Sequence, residues 1–64
     1  RLSPRERVVA HHFAAGLTHK EVAREVGSSP HTVRAQLAQV YRKLGVCDKS
    51  ALARCLADED RDSG

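Results

Sequence analysis

Helix punctuation divides this chain into four short segments, each too short and too one-sided to bury its own apolar face. Ser3-Pro4-Arg5-Glu6 is an S-x-x-E capping box with proline at the first helical position, and it opens a helix that Gly16 ends as a left-handed cap. Thr18-His19-Lys20-Glu21 repeats the box, and Gly27 closes the segment behind it. Ser29-Pro30 starts a third segment that stops at Gly45, and Asp48 caps a fourth. The spacing predicts helices near residues 4–15, 19–26, 30–44 and 49–57. Their expected inward residues are Val9, Ala10 and Phe13, then Val22, Ala23 and Val26. In the last two helices they are Val33, Leu37, Val40, Tyr41 and Leu44, followed by Leu52, Ala53 and Leu56. No strand alternation, internal repeat or low-complexity segment is present, so the fold class is all-α. With 64 residues the chain makes one domain near the lower limit for folding without staples. Its core must be aliphatic, because it has one Phe, one Tyr and no Trp or Met.

The link Gly27-Ser28-Ser29 is so short that the second and third helices must turn sharply against each other. A short helix, a tight glycine turn and a longer helix with a basic outer side form a helix-turn-helix. The third helix carries the argument for function. Val33, Leu37, Val40, Tyr41 and Leu44 recur as i, i+4, i+7, i+8 and i+11 and share a stripe about 100° wide. Opposite them lie His31, Arg34, Ala35, Ala38 and Arg42, and the helix contains no acidic residue. Ordinary solvated helices mix in Glu and Asp at i, i+4 spacing. A helix anchored by one face, with cations and small side chains on the other, suits the major groove of double-stranded DNA. Arginine pairs there with guanine edges, and alanine permits close approach or touches a thymine methyl.

Charge points the same way. Asp58, Glu59, Asp60 and Asp62, with Arg61 among them, put −3 on the last residues, so the remainder carries +6 behind an overall +3. A basic body favours a polyanionic partner. The acidic end, residues 59–64, cannot bury anything and is expected to be a disordered tail behind a domain spanning 1–58. The two cysteines, Cys47 and Cys55, would stand roughly 12 Å apart along a helix, too far for a bridge. They fit a reducing compartment. Without a signal peptide, lipidation motif or apolar run of membrane-spanning length, a cytoplasmic protein with no membrane association is expected.

Several fragments, in order, resemble one family: Leu2-Ser3-Pro4-Arg5-Glu6, Ala15-Gly16-Leu17-Thr18, Lys20-Glu21-Val22-Ala23, Ser29-Pro30-His31-Thr32-Val33-Arg34 and Tyr41-Arg42-Lys43-Leu44-Gly45-Val46. Together they resemble the LuxR-type (GerE-like) helix-turn-helix domain, and the resemblance covers about residues 2 to 57. The resemblance implies a four-helix domain of the winged-helix-like superfamily without a wing, serving as the DNA-binding output of a bacterial transcription regulator. It implies an upstream regulatory domain in the full-length protein and a weak homodimer through the fourth helix, formed on DNA. It further implies base reading by Arg34, Ala35 and Ala38, with His31 at the front of the same face. Phosphate contacts would come from Thr18, Lys20, Ser29, Thr32, Gln36, Arg42 and Lys43, and dimer contacts from Cys47, Ser50 and Arg54. Gln36 stands where the family often has His or Asn, and Ala38 replaces a residue that is frequently polar or basic. The start at Arg1, without Met and directly before a cap, is that expected of an excised domain.

Other readings fit less well. His11, His12, His19 and His31 with the two cysteines form no C-x-x-C or H-x-x-x-H pair, so no metal and no cofactor is expected. Glu6 and Glu21 each sit at the third position of a capping box, which explains them without acid–base chemistry. No nucleophile–base set or phosphate-binding glycine loop is visible, so an enzyme is not expected. The alternative is a small helical protein-interaction module. An RNA-binding domain is disfavoured because Tyr41, the one candidate for base stacking, lies on the buried stripe.

Overall fold

The computed structural model describes residues 2–63 and contains four α-helices, with no strand among the described residues. They are α1 (Pro4–Ala14), α2 (His19–Val26), α3 (Pro30–Leu44) and α4 (Lys49–Ser63). Both capping boxes form. Ser3 Oγ accepts the Glu6 N–H at 3.2 Å while Glu6 Oε1 accepts the Ser3 N–H at 3.0 Å. Thr18 and Glu21 repeat the exchange at 3.2 and 2.8 Å. Ser29 Oγ accepts from the Thr32 N–H at 3.2 Å, and Asp48 Oδ1 accepts from the Ala51 N–H at 2.7 Å.

The helix ends follow the sequence signals with one adjustment. The cap of α1 is Ala15, in right-handed conformation, and the positive φ of 110° falls on Gly16 after it. Gly16 and Leu17 then donate to the carbonyls of Phe13 and His12 at 3.0 and 3.3 Å, the paired bonds of a Schellman end. After α2 the chain reverses at Gly27 (φ 73°, ψ 34°), a left-handed conformation that costs a residue with a Cβ. That single residue lets Ser28 return to the Ala23 carbonyl at 2.9 Å and Ser29 begin α3 at once.

Helix α1 packs against all three others, α2 pairs with α3, and α3 touches α4. The core lies in two clusters. Val9, Val22, Ala23, Val33 and Leu37 join α1, α2 and α3. Leu2, Ala10, Val40, Leu52 and Leu56 join α1, α3 and α4. The neighbours Val9 and Ala10 face different clusters, and Phe13 borders both. The DNA-facing element proposed from the sequence is therefore seated in both halves of the core. Tyr41 is half-buried in the second cluster, and burial, with Asp48 nearby, pushes its phenol above the ordinary value.

Two expectations change in α4. Ala53 is exposed, not inward; Leu52 and Leu56 are buried, and Ala51, Cys55 and Glu59 are half-buried. Leu52 and Leu56 enter the cluster shared with α1 and α3, and that fit sets the phase of the helix. The helix also runs on to Ser63, where a disordered tail from residue 59 was expected; Gly64 lies outside the described residues. Its continuation brings Glu59 to Arg7 on α1, with Oε1 and Nη2 3.9 Å apart.

Candidate nucleic-acid interface

The outer side of α3 is built by exclusion. Val33 and Val40 are fully covered and Leu37 is 4% exposed, which fixes the rotation of the helix. His31, Arg34, Ala35, Ala38 and Arg42 are consequently all exposed, as the sequence pattern requires. Arg34 and Arg42 bring fixed positive charge, and the two alanines leave a shallow strip between them.

The N-terminus of α3 differs from those of α1 and α2. The first turns of α1 and α2 contain Glu6 and Glu21, whose carboxylates compensate the positive helix end. The first turn of α3 contains no acid, only the neutral Ser29 cap. The Ser29 hydroxyl also donates to Thr32 Oγ1 at 3.0 Å, so both hydroxyls are tied into the cap. An uncompensated helix start with exposed His31 beside it favours an anion. Thr18 and Lys20, both exposed, lie at the start of α2, with Thr18 Oγ1 already accepting from Glu21.

Two of the expected phosphate contacts are placed differently. Lys43 Nζ lies 2.9 Å from Glu6 Oε1, across 37 residues, and is held by the same oxygen that closes the first capping box. That ammonium, followed by the Ser3 N–H, holds the Glu6 carboxyl below its ordinary value. Gln36 is half-buried, and its Oε1 is buried with no hydrogen-bond partner. The side chain is less openly presented than those of the exposed residues of the same helix.

Sequence reasoning missed three contacts between helices, two of which tie α2 to α1. Arg5 Nη1 donates to the Val26 carbonyl at 3.0 Å, tying α1 to the last residue of α2 before the turn. The Phe13 ring stacks on His19 with centroids 5.0 Å apart. Lys49 Nζ stands 4.3 Å from the centroid of the same ring. All three join residues of different helices, for which the chain carries no local spacing signal. Of the expected dimer contacts, Cys47 lies in the loop before α4, and Ser50 and Arg54 share one side of that helix; all three are exposed.

Comparison with known proteins adds an independent finding. The profile of "Bacterial regulatory proteins, luxR family" matches residues 1–56. The transcriptional regulatory protein UhpA of Escherichia coli is 46% identical over 57 residues, covering 89% of this chain and 29% of that protein. The probable HTH-type transcriptional regulator GfsR of Streptomyces halstedii is 45% identical over 56 residues, 86% of this chain and 23% of the relative. The transcriptional regulatory protein FixJ of Bradyrhizobium diazoefficiens is 43% identical over 53 residues, covering 83% and 26%. The chain thus spans less than a third of the length of these relatives. No solved structure gave a significant match.

Proposed function

The chain belongs to the luxR family of bacterial regulatory proteins, whose helix-turn-helix domain binds DNA in transcription regulation, and from that premise we propose that it reads double-stranded DNA sequence-specifically with α3 in the major groove. The observation that carries the proposal is the exposed, acid-free side of α3, with Arg34 and Arg42 flanking Ala35 and Ala38 opposite the buried stripe. Arg34 reads guanine through O6 and N7, and the alanines admit the helix close to the base edges, with His31 at the leading end. Lys20 and Arg42 take phosphates, joined by the starts of α2 and α3 with Thr18, Ser29, Thr32 and Gln36; Lys43 contributes in so far as it leaves Glu6. The relatives are named as regulators, not enzymes.

The finer parts of the proposal concern the whole protein. An upstream regulatory domain controls the output, as the relatives' greater length and the name "Two-component response regulator" of the similar Pseudomonas aeruginosa protein PprB support. Two copies meet on paired half-sites through Cys47, Ser50 and Arg54, and the protein works in the cytoplasm. No helix among the described residues is long and apolar enough to cross a membrane.

Fluorescence anisotropy of labelled duplexes across a salt series tests the core of this reading. Affinity should fall linearly on a log–log plot, by about 0.9 per phosphate neutralised, and one selected sequence should bind more tightly than random DNA. Undetectable duplex binding at low salt would favour the alternative, a protein-interaction module.

A further inference from the structure

The exposed side of α3 carries one more long polar side chain, Gln39, which neither the charge pattern nor the resemblance singled out. It follows Ala35 by one turn and adjoins Ala38, with exposed Arg42 one turn further on. Arg34 and Gln39 stand about 140° apart around the helix and ~7.5 Å apart along it, one on each side of the alanine strip. With base pairs spaced by about 3.4 Å, the two side chains reach positions roughly two pairs apart.

Two other polar groups on the Gln39 side already have partners. Thr32 Oγ1 accepts from Ser29 at 3.0 Å, and Lys43 Nζ is held by Glu6 at 2.9 Å. The Gln39 amide makes no hydrogen bond within the described residues. It is therefore free to present a donor and an acceptor together. Phosphate accepts only, so the acceptor half of an amide is wasted on it. Adenine offers an N7 acceptor and an N6 donor side by side in the major groove, which matches a glutamine amide in two bonds.

We propose that Gln39 is a second base-reading residue, taking an adenine across the alanine strip from the guanine read by Arg34. The inference rests on the major-groove placement of α3 proposed above. The site it implies has an A·T pair and a G·C pair roughly two steps apart in each half-site.

Selection of duplexes from a randomised library by the 64-residue chain, followed by the same selection with Gln39→Ala and Gln39→Glu, tests it. The unsubstituted chain should enrich an adenine at one position. Gln39→Ala should flatten that position alone, by about tenfold in preference, and Gln39→Glu should move it toward cytosine, whose N4 donates to a carboxylate. Replacing the selected adenine with 7-deazaadenine should weaken the unsubstituted chain and leave Gln39→Ala unchanged. An unaltered preference, or an equal loss on every sequence, would overturn the role of Gln39 while leaving sequence-specific binding intact. Absence of any enrichment by the unsubstituted chain would overturn both readings at once.

Discussion

Arg34 and Glu6 show how differently two charged residues on this surface are committed. Arg34 is exposed beside the alanine strip, early in α3, where recognition helices make most of their base contacts. Arg34→Ala should cost about 1–3 kcal/mol on the selected site and much less on random DNA, measured by anisotropy on both. An equal loss on the two would assign Arg34 to a phosphate. Glu6, by contrast, has Lys43 as its strongest partner and is held below its ordinary value of 4.5. A depressed carboxyl contributes stability that is present above the unfolded value and lost as pH falls through the folded one. Gln still serves at the third position of a capping box, so Glu6→Gln removes the charge and spares the cap. Thermal melts from pH 7 to pH 3 should therefore show a steeper acid loss for the unsubstituted chain than for Glu6→Gln. The same substitution frees Lys43 and should steepen the salt dependence of DNA binding by up to about one phosphate. The capping role of Glu6 is legible from its three-residue spacing to Ser3; its bond to Lys43 has no local signature.

The turn between α2 and α3 fixes how the two helices of the helix-turn-helix stand against each other. Gly27 adopts φ 73°, and a Cβ placed there would meet nothing within 4 Å. Gly27→Ala is thus a test of backbone conformation without a clash. It should cost about 1–2 kcal/mol, or roughly 4–8 °C in Tm per kcal/mol for a domain of this size. Calorimetry would check it, and no change in Tm would mean that the turn relaxes to another conformation. Arg5 reinforces the same corner through the Val26 carbonyl. In α4 the lesson runs the other way. Its start at Asp48 is legible from the cap, but its inward face and its end are not. Acidic residues give no hydrophobic signal, so the docking of Glu59 beside Arg7 is invisible until α1 and α4 are packed.

At the scale of the molecule, two small clusters share α1 and α3, and neither is large. Leu52 is fully buried in the cluster that holds α4. Leu52→Ala should cost about 2–5 kcal/mol, a large part of what a domain this small possesses, and urea unfolding should show the lowered midpoint. A cost below about 1 kcal/mol would show that α4 contributes little to the fold. The exposed residues Cys47, Ser50 and Arg54 offer little apolar area against the roughly 800 Å² per partner of a standard interface. Sedimentation at micromolar concentration should report a monomer without DNA, and a tight dimer there would refute that estimate of the surface.

What the sequence determined by itself is whatever neighbours within a few positions decide. Caps are bonds across three to five residues, and the stripe of α3 repeats every three or four. Four helices, the sharp turn at Gly27 and the exposed basic side with Arg34 were therefore all readable in the chain. Only the tertiary structure decided which side of α4 turns inward, how far that helix continues, that Gln36 is half-buried and that Lys43 is drawn to Glu6. These depend on the angles at which helices cross and on groups far apart in the chain, such as Arg7 and Glu59, meeting in space. Spacing along one helix says which residues share a face, and the partner helix alone says what that face touches.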